Sequence, residues 1–193
     1  MDRREAFLYD LANMSSRRAL FLDRDGVLNE NLFRNGKAYA PRSLAEFHLL
    51  PGVEDAVRRA KQAGFLIIVV TNQPDVPSGI TPRATVESMH AELGRRIPVD
   101  DIKVCFHLDA DQCLCRKPKP GMLLEAAAAH DIDLKTSYIV GDRWRDILAG
   151  QAAGCFSILV DGGLKQEIAV TPDATVSSLA EAAELILSRE NGL

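Results

Sequence analysis

In Ala19-Leu20-Phe21-Leu22-Asp23-Arg24-Asp25-Gly26-Val27-Leu28-Asn29, a short apolar run ends abruptly in two carboxylates with one residue between them. The run Ala19 to Leu22 reads as a strand buried on both faces. In open parallel α/β sheets, ligands bind outside the C-terminal ends of the strands, which is where Asp23 and Asp25 fall. Two acids crowded together repel each other, and a divalent metal is the simplest compensation. Gly26 lets the backbone turn sharply against whatever is bound. Asp23 could attack phosphorus, while Asp25 protonates the leaving alkoxide and later takes a proton from water. A plain strand followed by an Asp-Gly turn fits the same residues.

Composition sets the bounds. The 193 residues suffice for one ordinary domain with a proper core, and the composition is that of a globular protein. A net charge of -4 gives no reason to expect a nucleic-acid partner. No apolar run approaches the ~20 residues of a membrane span. Met1-Asp2-Arg3-Arg4-Glu5 is charged and Ala6 to Leu11 is short, so a signal-peptide core is not expected and a cytoplasmic location is the default.

Outward from the acidic pair, residues 1–18 form an N-terminal extension in which Ala6, Phe7, Tyr9, Leu11 and Met14 suggest a ragged amphipathic helix. A monomer is the default expectation, with a homodimer through this extension as the alternative. Asn29 to Leu50 is too long for a tight turn and leaves directly from the acids, so Arg34, Lys37, Tyr39 and Arg42 are candidates to touch a substrate or are simply solvated loop residues. Pro51-Gly52 opens a helix with Val53, Ala56, Val57 and Ala60 on one face. Phe65 to Val70 is a second buried strand, ending in Thr71-Asn72-Gln73. A hydroxyl and a free N–H at that tip can hold a phosphoryl oxygen, although T-N-Q alone is an ordinary polar turn.

Thr81-Pro82 reads as an N-cap followed by proline at the first helical position, with the helix running to about Arg96. Further strands are expected at Ile102–Phe106, Ser137–Val140 and Cys155–Val160. Helices are expected from about Met122 to His130, after the Gly141-Asp142-Arg143-Trp144-Arg145-Asp146 stretch with an end near Gly150 or Gly154, and from Ser177 to Arg189. The alternation argues a parallel sheet with helices on both faces.

Cys105, His107, Cys113 and Cys115 are spaced C-x-H-x5-C-x-C. Three thiols and an imidazole make a closed tetrahedral set that suits structural Zn²⁺ and leaves no open position for water. A loop at about 105–115, poor in apolar residues, would then be clipped into shape and would place Arg116 and Lys117. Cys155 reads as a core thiol, and His48, His90 and His130 show no partner set.

Lys117 lies in a proline-stiffened segment entering a helix, a good place for a point charge facing a phosphoryl group and a carboxylate. Asp142 follows a strand and a glycine, as Asp23 follows its strand, and could complete an oxygen-rich Mg²⁺ site. Asp146, one turn on, could orient Lys117 or a metal-bound water, or pair with Arg143 or Arg145 on the helix surface. Arg24, Arg116, Lys117 and Arg143 are expected to make the site locally basic enough to attract a dianion.

Asp23-x-Asp25-Gly26, the strand ending in Thr71, Lys117 before a helix, and Gly141-Asp142-x3-Asp146 resemble, in order, the four motifs of the haloacid dehalogenase-like (HAD) hydrolases. The resemblance covers about Ala19 to Gly163. It implies an α/β Rossmann-like three-layer sandwich with a central parallel sheet, a single domain over residues 19–193. It also implies Asp23 as nucleophile and Asp25 as acid/base. Mg²⁺ would be held by Asp23, the Asp25 carbonyl and Asp142, and Thr71, Asn72 and Lys117 would hold the phosphoryl group. Thr71-Asn72-Gln73, the C-x-H…C-x-C cluster, Cys115-Arg116-Lys117-Pro118-x-Pro120-Gly121-Met122 and Phe47-x-Leu49-Leu50-Pro51-Gly52-Val53 resemble the D-glycero-D-manno-heptose 1,7-bisphosphate phosphatases. The related histidinol-phosphate phosphatases share these features. Members of this group are cap-less, with a zinc-binding loop. The implied reaction removes the 7-phosphate, with Gln73 and Arg116 at the substrate. Pro74-Asp75-Val76-Pro77-Ser78-Gly79 departs from the group's Ser-Gly-Ile-like continuation, and Leu108 stands where a proline is usual. The alternatives are a phosphatase for histidinol phosphate or another small phosphoester and, in a different class, a non-catalytic zinc-stabilised phosphate-binding or regulatory protein.

Overall fold

The structure is a computed structural model and describes residues 16–34, 36–162 and 170–192. The expected helix around Ala6 to Met14 and the Arg34 side chain lie outside the described residues.

Among the described residues, six parallel strands form one sheet in the order β5-β4-β1-β6-β7-β8. They are β1 (Ala19–Leu22), β4 (Leu66–Asn72), β5 (Asp101–Cys105), β6 (Tyr138–Gly141), β7 (Phe156–Val160) and β8 (Ala174–Val176). β2 (Leu32–Arg34) and β3 (Lys37–Tyr39) pair antiparallel as a separate hairpin inside the long connection after the acids. The helices are α1 (Val53–Gln62), α2 (Arg83–Arg96), α3 (Gly121–His130), α4 (Trp144–Ala153) and α5 (Leu179–Glu190).

The apolar runs are continuous because both sheet faces are covered. Leu20, Leu22, Ile67, Val69, Val140 and Ile158 face one core, where they meet Val57 of α1, Met89 and Leu93 of α2, and Ile186 of α5. Ala19, Phe21, Ile68, Val70 and Ile139 face the other core, against Met122, Leu123 and Ala126 of α3 and Ala149 of α4. Alternate residues of one strand thus serve opposite layers, which makes a three-layer sandwich.

The register fixes the site. β1 lies between β4 and β6, with Leu22 paired to Val69 and Val140. Asp23 follows directly, level with Val70 and Gly141, so Thr71 and Asp142 stand one residue further along the neighbouring strands at the same C-terminal edge. β5 pairs with β4 as far as Cys105 opposite Asn72, so the cysteine cluster begins beside the same edge.

Several elements differ from expectation. α2 begins at Arg83, with Pro82 as the extended N-cap residue (φ -60, ψ 141) rather than the first helical position. Of the two stops expected for α4, Gly154, in the left-handed region, is the one that ends it, whereas Gly150 lies inside the helix, where only a hydrogen fits against Ile139. β8 and the β2–β3 hairpin are only three residues per strand, too short to show a period of two.

Candidate active site and metal cluster

Asp23 continues β1 and is pinned by its own N–H, which donates to the Val140 carbonyl at 2.9 Å. Its Oδ1 accepts from the Arg24 backbone N–H at 2.8 Å and lies 2.8 Å from Lys117 Nζ. Lys117 is 2% exposed, and its ammonium also reaches Asp146 Oδ1 at 2.5 Å and the Val70 carbonyl at 2.7 Å. Burial alone would lower the lysine pKa, but Asp146 and Asp23 beside it hold it above the ordinary value. Burial pushes Asp23 up to about 8, with Asp146, Asp142 and Asp25 adding to the rise and Lys117 opposing it.

Asn72 clasps the segment that carries this lysine. Its Nδ2 donates to the Lys117 carbonyl at 3.1 Å, and its Oδ1 accepts from the Lys117 N–H at 3.2 Å. Asp146 is also fixed from its own helix, because its Oδ2 accepts from the Arg143 N–H at 3.1 Å. Gly141 permits the approach, since a Cβ there would stand 2.1 Å from that of Asp146. Asp146 is thus turned inward, and Arg145 pairs instead with Asp109 at 2.8 Å.

Asp142 Oδ2 accepts from Asn31 Nδ2 at 3.0 Å and from Arg143 Nε at 3.1 Å. Burial and Asp146 raise Asp142 to about 6. Carboxylate oxygens of Asp23, Asp142 and Asp146 lie within 4.8 Å of one another. Hard carboxylate oxygens crowded this closely are the donor set that suits Mg²⁺. Gly26 completes the cradle: at φ +88 a Cβ there would stand 2.3 Å from Asp142 Oδ2.

The Asp25 carboxylate lies outside that carboxylate group. Arg24 grips it with Nη2 at 2.9 Å to both oxygens and Nε at 3.1 Å to Oδ1. Asn29 Nδ2 adds a bond at 3.0 Å and Gln73 Nε2 one at 2.8 Å. Gln73 also donates to Thr71 Oγ1 at 2.8 Å. Arg24 was expected among the cations that draw in a dianion; it is instead fully buried, because its guanidinium turns inward to Asp25. A single arginine in a polar turn carries no signal for that orientation.

Asp23, Asp25, Asn72, Gln73, Lys117, Asp142 and Asp146 line a cleft of about 340 Å³, which Tyr39 and Asp75 also border, whereas Thr71 lies buried behind it. Arg116, Arg143 and Arg145 stand around it. Asp109 bonds both Arg116 Nε and Arg145 Nη1 at 2.8 Å and so joins the cysteine loop to α4. The Asp109–Arg145 pair spans 36 residues of sequence, so no local pattern marks it.

In the cluster, Cys105 Sγ lies 3.6 Å from His107 Nδ1, 3.7 Å from Cys113 Sγ and 3.3 Å from Cys115 Sγ. Cys115 Sγ is 3.2 Å from His107 Nδ1 and 3.4 Å from Cys113 Sγ. A tetrahedral zinc implies edges of about 3.6 Å for S···N and ~3.8 Å for S···S. These five separations match or fall slightly inside those edges, and all four donor atoms lie within 4.8 Å of one another, so the set could hold a structural Zn²⁺. The thiols are free, not disulfide-bonded. Arg116 Nη1 donates to the His107 carbonyl at 3.1 Å, so the cluster bears directly on an arginine of the cleft.

Among the described residues no helix is long and apolar enough to cross a membrane.

The HAD-hydrolase-like family model matches residues 114–182. A D-glycero-beta-D-manno-heptose-1,7-bisphosphate 7-phosphatase of Pseudomonas putida is 39% identical over 149 residues, 75% of this chain and 82% of the relative. A D-glycero-alpha-D-manno-heptose-1,7-bisphosphate 7-phosphatase of Mycobacterium tuberculosis is 33% identical over 84% of this chain and 87% of the relative. Among solved structures, the D,D-heptose 1,7-bisphosphate phosphatase of B. bronchiseptica, complexed with magnesium and phosphate, superposes with a TM-score of 0.76 at 33% identity. That match covers 89% of this chain and 99% of the other.

Proposed function

This chain belongs to the HAD-like phosphatases, in the family of the D-glycero-D-manno-heptose-1,7-bisphosphate 7-phosphatases, and on that premise we propose that it removes the 7-phosphate of a heptose 1,7-bisphosphate. The observation that carries hydrolysis is the pair of acids after β1. One carboxylate sits beside the Lys117 cation, and the other, two residues on, is held by Arg24, Asn29 and Gln73. A protein that only bound phosphate would gain nothing from the second.

Asp23 attacks phosphorus and forms an aspartyl-phosphate as the bond to the sugar oxygen breaks. Asp25 gives its proton to the departing alkoxide. It then takes a proton from the water that attacks the phosphoenzyme, which releases phosphate and restores both carboxyl groups. Lys117 offsets charge on the nucleophile and on the phosphoryl oxygens. Asn72 holds Lys117 in place, and Asp146 orients it. Asp23, Asp142 and the Asp25 carbonyl would hold Mg²⁺, which when bound neutralises phosphoryl charge and relieves the repulsion among the acids.

Arg116 and Arg145 form a second cationic station beside the cleft, which supports a substrate with two phosphates. It disfavours histidinol phosphate, whose distal end carries an ammonium. The beta anomer is the first choice, because relatives at 37–39% identity carry that name. The reduced cysteine cluster fits a reducing compartment such as the cytoplasm.

The test is phosphate release in Mg²⁺ from both anomers of heptose 1,7-bisphosphate and from histidinol phosphate, with Asp23→Asn as blank. Selective release from a heptose anomer supports the proposal. Release from histidinol phosphate alone keeps the chemistry and overturns the substrate.

A further inference from the structure

Arg24 is a costly residue to bury. It is 0% exposed and the largest fully buried side chain among the described residues. A guanidinium cannot shed its charge, so each N–H it takes out of water needs an acceptor. Nε and Nη2 find theirs on Asp25. Nη1 faces the other way, toward His90 Nε2 on α2, at 3.2 Å. The Phe47 ring lies 5.8 Å from the guanidinium carbon.

The guanidinium can only donate, so His90 Nε2 must accept and the ring proton sits on Nδ1. That requires a neutral imidazole. Burial, and then the positive charge of Arg24, push His90 down to about 4, against the opposing pull of Asp25 and Glu87. The chain from helix to carboxylate is continuous: His90 holds Arg24, and Arg24 holds Asp25.

We propose that His90 is a positioning residue for the acid/base carboxylate, acting through Arg24 to fix the plane of Asp25 after β1. The inference rests on the proposed role of Asp25 in hydrolysis. Without an acceptor at residue 90, Nη1 is left buried and unpaired. The guanidinium then turns to find another partner, and the Asp25 carboxylate turns with it. The effect falls on proton transfer, not on substrate binding.

Leaving-group dependence separates this from a general loss of structure. A sugar alkoxide needs a proton as it leaves, whereas p-nitrophenolate departs without one. The ratio kcat/KM reports steps up to leaving-group departure. His90→Leu should therefore lower kcat/KM for heptose 1,7-bisphosphate about tenfold or more, with less than about threefold effect on p-nitrophenyl phosphate. His90→Gln offers a carboxamide oxygen to the same N–H and should recover most of the loss on the sugar. Melting curves on both variants report folding. A loss shared equally by the two substrates, no loss on the sugar, or a glutamine variant no better than leucine overturns the proposal. Wild-type protein that hydrolyses neither phosphoester sinks the hydrolase reading itself, and this inference with it.

Discussion

Lys117 Nζ sits between two carboxylates, 2.8 Å from Asp23 and 2.5 Å from Asp146, with the Val70 carbonyl at 2.7 Å as a third acceptor. One cation thus offsets two buried acids and ties β1, β4 and α4 together at the sheet edge. Removing it leaves those acids uncompensated. Lys117→Met should lower stability by about 3–5 kcal/mol, since breaking a buried pair strands a charge. It should also cut phosphate release at least ~10²-fold. Asp146→Asn keeps an oxygen for the Arg143 N–H and should cost less stability than the lysine change. Thermal unfolding beside phosphate assays checks both, and a stable Lys117→Met enzyme with near-wild-type turnover contradicts the arrangement.

Gly26 tests the cradle against Asp142. An added Cβ would stand 2.3 Å from Asp142 Oδ2 and 2.4 Å from Asn31 Nδ2, at a φ of +88 that alanine rarely adopts. Gly26→Ala should destabilise by more than about 1 kcal/mol. It should also raise the Mg²⁺ concentration needed for half-maximal activity. Unchanged Mg²⁺ dependence shows that the acids tolerate displacement.

The cysteine cluster should carry one zinc per chain, measured by elemental analysis of the purified protein. A zinc chelator should lower the melting temperature, and added zinc should restore it. Arg116 bonds the His107 carbonyl, so removal of zinc should raise KM for the bisphosphate more than for p-nitrophenyl phosphate. Equal effects on both substrates would mean that the loop does not shape the distal station.

His90 predicts a pH effect on stability. Its folded value is held down near about 4, against 6.5 for an unperturbed histidine. Above 6.5 both folded and unfolded states are neutral at this residue. As pH falls from 6.5 toward about 4, the unfolded chain takes up a proton that the folded protein refuses. Stability is lost across that window, by at most about 1.4 kcal/mol for each pH unit. His90→Gln lacks this proton, so its melting temperature should fall less than that of wild type over the same range. Parallel falls contradict the half-buried neutral imidazole.

Much of the site was legible because its chemistry is local. An apolar run ending in Asp23-x-Asp25, and C-x-H-x5-C-x-C, each place their donors within a few residues, and a parallel sheet delivers strand ends to one edge. The inward turn of Arg24 was not legible, since nothing in a polar turn says which way a long side chain points. His90 pairs with Arg24 from 66 residues away and on its helix resembles any surface histidine. Asn35-Gly36 is a hairpin signal in the sequence, but the strands beside it are too short to show alternation. Asp109 links Arg116 to Arg145 only after the fold brings the cysteine loop over α4.

The central claim is that Asp23 carries the phosphoryl group during turnover. The direct measurement is rapid acid quenching of the Asp25→Asn variant with p-nitrophenyl phosphate and Mg²⁺, followed by peptide mass analysis. That substrate can leave without a proton, and loss of the base should slow hydrolysis of the phosphoenzyme. The prediction is one phosphoryl group on the peptide containing Asp23, absent when Asp23 is also replaced by asparagine. p-Nitrophenolate released in a burst with no phosphoryl group on that peptide, or with one on another residue, contradicts the account.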